Sequence, residues 1–282
     1  MVAVPGPVAV TCDTLHAVSD DDTLTAPHLP PLDVLVPGSE HLPLDPREQR
    51  LADLYAVPAG PHVRVNMVHA VDGAAWGPDH RTGSINDDAD YRVFRLLRAL
   101  ADVVVVGAGT ARTERYTALD RPLGLEHLND APLELALVTR SGRVPDVLAG
   151  AERPPYVLTG AEGAVQARAA VPQTHLVVAD GRDGSVDLVA GLAALAARGL
   201  TRALCEGGPV LLGAMLEAGL VDELCVTTTP QLVGPGPGRI VGGAWPAGAM
   251  PPGPLPARLG HLLLDPRTGT TLARWVLRGT GA

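Results

Sequence analysis
The sequence predicts an α/β sandwich built on a mainly parallel sheet, on three observations. The run "VVVV" (103–106) is apolar throughout, too short for a helix and closed by Gly107, the pattern of a strand buried on both faces. The stretch "INDDADYRVFRLLRAL" (85–100) repeats apolar residues at helical spacing behind capping-type residues. Segments of the two kinds alternate along the chain, and such alternation gives parallel strands with helices packed on the sheet.

Taken in order, residues 1–60 are rich in Pro and Asp and hold one short helix at 46–55. They are expected to form an irregular extension on a main domain spanning 61–282. "VRVNMV" (63–68) alternates as a strand does, and the 85–100 helix and the 103–106 strand follow. "LELALV" (133–138), "YVL" (156–158) and "HLVVA" (175–179) read as further strands. "VDLVAGLAALAARGL" (186–200) is an Ala/Leu helix capped by Gly199, and "RALC" (202–205), "PVLLGAMLEAGL" (209–220) and "DELCVTTTPQLV" (222–233) read as strand, helix and strand. After the Pro/Gly-rich loop 234–256, two strand-like runs joined by a turn signal predict a C-terminal antiparallel hairpin on the sheet edge.

Composition narrows the function. The 282 residues are 46% hydrophobic and only 3% aromatic, so the core is built from Val, Leu and Ala. All 22 basic residues are Arg, which rules out a catalytic lysine. The net charge of −9 argues against nucleic acid or an anionic membrane surface as partner, and leaves an anionic small substrate to local arginines. Cys12, Cys205 and Cys225 have neither disulfide nor zinc-site spacing, which fits a reducing cytoplasm. The first residues lack a signal-peptide pattern and no run reaches 18 apolar residues, so the chain reads as soluble and not exported. The nine histidines form no metal-binding pair, and neither a serine nucleophile elbow nor a zinc deaminase pattern is present.

Ligands of open α/β sheets bind beyond the carboxyl ends of strands, which directs attention to four stretches. After the 103–106 strand, Gly107 and Gly109 allow backbone approach and Thr110 offers hydroxyl and amide to a phosphate; a plain tight turn fits equally. After "RALC", Gly207 and Gly208 precede Pro209 at a helix start whose free amides suit a pyrophosphate, while Glu206 beside them fits a simple helix cap equally well. Arg140, Ser141 and Arg143 follow a strand and suit a nucleotide 2′-phosphate, or a solvated basic turn. Asp72-Gly73 reads as a turn. Residue chemistry alone stops at an α/β protein that binds nucleotides.

Together and in this order, "NMVHAVDGAA", "INDDADYRVFRLLRALADVVVVGAGTAR", "LALVTRSGRVP" and "CEGGPVLLGAMLEAGLVDEL" resemble the reductase domain of riboflavin biosynthesis. The resemblance covers about residues 61–243 and implies a dihydrofolate-reductase-like fold, a three-layer α/β/α sandwich with a mainly parallel mixed sheet. It implies NADPH-dependent reduction of the ribosylamino side chain of a diaminopyrimidinone 5′-phosphate, or its deaminated form, to the ribitylamino compound, without a metal. By position it puts Thr110, Glu114 and the segment Gly207, Gly208, Pro209, Val210, Leu211 and Leu212 on NADPH, with Gly107 and Gly109 beside them. Thr139, Arg140 and Ser141 fall near the adenosine end, and His69 and Ala70 beside the nicotinamide. Glu206 and Asn66 are implied to hold the pyrimidine and polarise the imine, with Thr82 on the substrate and Arg98 and Arg121 converging on its phosphate.

Two departures bear on the substrate. The family usually reads Ser-Leu-Asp-Gly where this chain has Ala70-Val71-Asp72-Gly73 after His69, and the aromatic residue common near Ser84 is absent. The same fold and cofactor acting on dihydrofolate, a pterin or a specialised heterocycle is therefore an alternative, as is a nucleotide-binding protein without catalysis. Relatives of this fold often dimerise through C-terminal strands, which marks the hairpin at 261–277 as the interface of an expected homodimer.

Overall fold
The computed structural model describes residues 29–243 and 254–277; Cys12 lies outside them. β1 (Leu32–Val36), β2 (Glu40–Leu42) and α1 (Gln49–Leu54) precede β3 (His62–Ala70), α2 (Asp88–Leu100), β4 (Val103–Gly107) and α3 (Ala108–Thr113). Next come β5 (Glu134–Val138), β6 (Tyr156–Thr159), α4 (Ala161–Ala167), β7 (Leu176–Val178) and α5 (Leu188–Ala196). β8 (Arg202–Cys205), α6 (Pro209–Glu217), β9 (Glu223–Thr229), β10 (Arg258–Leu264) and β11 (Thr271–Val276) follow. Among the described residues these strands form one sheet in the order β2-β1-β10-β11-β9-β3-β8-β4-β5-β6-β7. The pairs from β9 through β7 are parallel, and those on the other side of β9 are antiparallel.

The valine run shows why the sheet is covered on both faces. Val104 and Val106 pack with Leu96 and Leu97 of α2, whereas Val103 and Val105 pack with Leu195 of α5 and with Leu212 and Met215 of α6. All four valines are fully buried. At about 1.5–3 kcal/mol for each side chain removed from water, this one strand anchors both helical layers.

Helix α2 begins at Asp87, whose carboxylate accepts from Ala89 N at 3.1 Å and Asp90 N at 3.0 Å. Its end is capped from outside the helix. Arg121 Nη1 donates to the carbonyls of Arg98, Ala99 and Ala101 at 2.9, 3.2 and 2.6 Å. Asp102 then ties β4 to β8, accepting from Arg202 N at 2.8 Å and from the Arg202 guanidinium.

Three expectations are corrected. The irregular extension contains β1, β2 and α1, and β1 pairs antiparallel with β10, burying Leu32 and Val34 in the main core. Consequently the C-terminal hairpin β10–β11 is not an edge, because β1 and β2 lie outside it. Short helices α3 and α4 also stand where no helix was read from the sequence. No described helix is long and apolar enough to cross a membrane. Cys205 and Cys225 are free and buried, and burial pushes their thiols up to about 12 and about 11; both are inert filling of the core.

Candidate active site
β8, late in the chain, is inserted between β3 and β4, and the carboxyl ends of these three strands carry most of the expected site. Beyond β8 the ladder continues into the loop: Glu206 N donates to Val105 O at 3.1 Å and Gly107 N to Gly207 O at 2.8 Å. Gly207 has φ +85, and the Gly207–Gly208 peptide is cis. A Cβ on Gly208 would lie 2.5 Å from Thr110 Oγ1, so a side chain there requires Thr110 to shift. Thr110 and the Gly207–Gly208 segment, read separately from the sequence, therefore meet. Gly107 and Gly109 have no such crowding.

The helix start after Gly208 has no side-chain cap, and Pro209 occupies its first turn. Glu206 is thus not the cap that its position allowed. Its carboxylate is instead gripped in the interior: Arg98 Nε donates to Oε1 at 2.8 Å, Arg98 Nη2 to Oε2 at 2.9 Å, and Tyr116 OH to Oε2 at 2.5 Å. Phe94 stacks beneath, its ring centroid 4.3 Å from the Arg98 guanidinium carbon. The uncapped amides at the start of α6 remain suited to an anion. Val210 is exposed there, but the side chains of Leu211 and Leu212 are core, leaving only their backbone to a ligand.

The arginine pair expected on a phosphate is not assembled. Arg98 is committed to Glu206, and Arg121 spends its fork on the α2 carbonyls and on Ala131 O and Pro132 O at 2.9 and 3.3 Å. Both sit where backbone or carboxylate oxygens satisfy their donors before any ligand arrives.

Side-chain alternation sorts the β3 residues. Val65 and Met67 face the α5–α6 layer, which puts His69 on that side and Asn66 on the α2 side with Glu206. Asn66 is half-buried, opposite Cys225 in register. His69 Nδ1 lies 2.7 Å from Ala70 O, and its Nε2 lies 3.3 Å from Thr228 Oγ1. Ala70 itself is buried. Glu114 Oε1 accepts from Thr82 N at 3.0 Å, so a residue expected on the cofactor and one expected on the substrate hold each other; burial raises the Glu114 carboxyl.

Thr139 is buried with its hydroxyl 3.4 Å from Ser141 Oγ, whereas Arg140, Ser141 and Arg143 are exposed. Gly142, at φ +70, lies so tightly against Gly163 of α4 that a side chain would strike the Gly163 carbonyl. Asp72 proves structural: Oδ2 accepts from Val233 N and Gly234 N, each at 2.8 Å, and these bonds, that from Gly234 foremost, hold its carboxyl below the usual range. This clamp fixes the loop after β9 over the loop after β3, and Gly242 N then ties the same loop to Pro209 O at 3.0 Å.

Residues 61–247 match the family model described as the RibD C-terminal domain. The chain belongs to this family. A 2,5-diamino-6-ribosylamino-4(3H)-pyrimidinone 5′-phosphate reductase of Methanothermobacter thermautotrophicus is 29% identical over 181 residues, 62% of this chain and 80% of that relative. Its namesake in Archaeoglobus fulgidus is 27% identical over 182 residues, 62% of this chain and 82% of that one. A solved pyrimidine reductase-like protein of Corynebacterium diphtheriae has the same fold, with a TM-score of 0.64 at 24% identity over 77% of this chain and 92% of that one. Within the RibD C-terminal domain, sequence reasoning missed Tyr116, whose hydroxyl closes the Glu206 network. It also missed Asp90, a buried carboxyl at the start of α2. Tyr116 follows a turn residue in a loop and Asp90 looks like helix-start acid, so neither carried a signal in the sequence.

Proposed function
We propose that this chain is an NADPH-dependent reductase that converts the ribosylamino side chain of a diaminopyrimidinone 5′-phosphate, or its deaminated form, to the ribitylamino form. The observation that carries it is the contact of Gly208 with Thr110 at the uncapped start of α6, next to Asn66 and Glu206. The names of the archaeal relatives support the substrate class.

The residues present fit a dinucleotide. Gly207, Gly208 and the free amides of α6 make a cradle, and a side chain at Gly208 would push against Thr110 beside it. Arg140 and Arg143, exposed and without a carboxylate partner among the described residues, would meet the 2′-phosphate of NADPH. NADPH, when bound, supplies the hydride. Glu206 accepts an N–H of the pyrimidine, and the Asn66 carboxamide donates to the substrate from the neighbouring strand. The strand ends fix both groups on a rigid sheet, and positioning is the main source of acceleration.

A second reading keeps the fold and cofactor but takes an unphosphorylated heterocycle. It is favoured by one observation, the commitment of Arg98 and Arg121 to internal partners. Incubation of the protein with NADPH or NADH and a panel of aminopyrimidine phosphates, pterins and dihydrofolate separates the two. A ribitylamino product, heavier by two hydrogens, supports the first reading; turnover confined to pterins or dihydrofolate replaces it. A homodimer is part of the proposal, seated on the face of β10 and β11 opposite α1, where Leu262, Leu264 and Trp275 are only half-buried. Working place in the cytoplasm follows from the same reading.

A further inference from the structure
We propose that Tyr116 is a positioning residue, whose hydroxyl fixes the Glu206 carboxylate so that a single acceptor site on Oε1 remains for the substrate. This inference rests on the pyrimidine-reductase reading and deepens it.

An ionised carboxylate offers about four lone-pair sites. Three are taken by protein donors: Oε1 receives Arg98 Nε, while Oε2 receives both Arg98 Nη2 and Tyr116 OH. Without the hydroxyl, Oε2 loses one of its two donors and Arg98 is left as the carboxylate's remaining side-chain partner among the described residues, so Oε1 is less firmly held for the substrate's N–H groups. With it, the acceptor is a single oxygen at a fixed place. The geometry is well held: Tyr116 and Glu206 are buried, and the Arg98 guanidinium carbon lies 4.3 Å from the Phe94 ring centroid and 5.7 Å from that of Tyr116. Burial first, and the Glu206 charge second, raise the phenol well above its ordinary value. The hydroxyl therefore stays a donor across the working pH range.

The bond is local to this loop. Gly107 to Glu114 turn through α3, the Tyr116 amide donates to Ala111 O at 2.8 Å, and the ring is thereby aimed under β8 rather than into solvent.

Steady-state kinetics of Tyr116→Phe with NADPH and the aminopyrimidine phosphate test the role, because Phe keeps the ring and removes only the hydroxyl. The KM for the pyrimidine rises about tenfold, the size of one lost charge-assisted hydrogen bond, while the KM for NADPH stays at the wild-type value. Adding Tyr116→Phe to Glu206→Gln costs nothing further, since the phenol acts only through the carboxylate. An unchanged pyrimidine KM, or losses that multiply in the double variant, overturns the positioning role. Should Glu206→Gln fail to fold, the KM split in Tyr116→Phe decides alone: an equal rise for both ligands marks lost packing and overturns it. A wild-type protein that binds NADPH and leaves the pyrimidine unreduced overturns the functional reading instead.

Discussion
Gly208 is the residue on which the cofactor assignment turns. A Cβ there would lie 2.5 Å from Thr110 Oγ1, so a valine must displace either Thr110 or the chain that, in the proposed reading, would offer amides to the cofactor. Gly208→Val is expected to weaken NADPH binding about 100-fold, equivalent to about 2.7 kcal/mol, as read by calorimetry; retained affinity removes this loop from the cofactor site. Arg98 gives the opposite kind of prediction. Arg98→Ala leaves Glu206 buried with Tyr116 as its remaining partner, and breaking such a pair costs about 3–5 kcal/mol, so thermal melting falls steeply. A variant that melts with the wild type while its pyrimidine KM rises would instead restore Arg98 to the phosphate. The glycines and Thr110 were legible in the sequence because backbone approach needs small residues at strand ends. The committed arginines were not, because a guanidinium destined for a carbonyl reads the same as one destined for a phosphate.

Among the elements, α2 carries the most charge in its buried face. Asp90, in its first turn, is hydrogen-bonded by Thr227, yet its Oδ1 has no partner, and burial pushes the carboxyl up to about 7, with Asp87 adding to the rise. The unfolded value is 3.8, so between about pH 4 and pH 7 the folded state holds a proton that the unfolded state has released. Stability from this group is complete below pH 4 and is lost as pH rises to 7. Asp90→Asn should therefore raise the melting temperature at pH 8 and bring little gain at pH 4; an equal gain at both contradicts the burial. His261 works in the other direction, its imidazole lowered to about 4 first by burial and then by Arg274. At the far end of α2, Arg121→Ala strips three carbonyls of their donor and should cost about 1–3 kcal/mol in denaturant unfolding, with the KM for the pyrimidine unchanged. Helix α2 itself was plain in the sequence from its apolar spacing and Asp87. Strands β1 and β2 were hidden, since "LDVLV" alternates over only five residues among prolines and its partner β10 lies more than 200 residues on.

At the scale of the whole molecule, the parallel half of the sheet was read nearly strand by strand, because runs such as 103–106 are apolar on both faces. In the antiparallel half the β10–β11 hairpin is announced by its turn signal, whereas the pairing of β1 with β10 spans most of the chain and no local pattern announces it. That half matters for function through position alone: β9 and its loop, clamped by Asp72, close the site beside β3. An overall charge of −9 is unfavourable for the two anionic ligands of the proposed reaction, whose capture would then fall to a few local donors at the carboxyl ends of β3, β4, β5 and β8. The most direct test of this account is deuteride transfer from NADPH dideuterated at the nicotinamide C4 in a mixture of an aminopyrimidine ribosyl phosphate, dihydrofolate and a pterin, followed by mass spectrometry. The account predicts one deuterium at the former C1′ of the ribitylamino product. An unlabelled pyrimidine, with deuterium found instead in tetrahydrofolate or a reduced pterin, would contradict it.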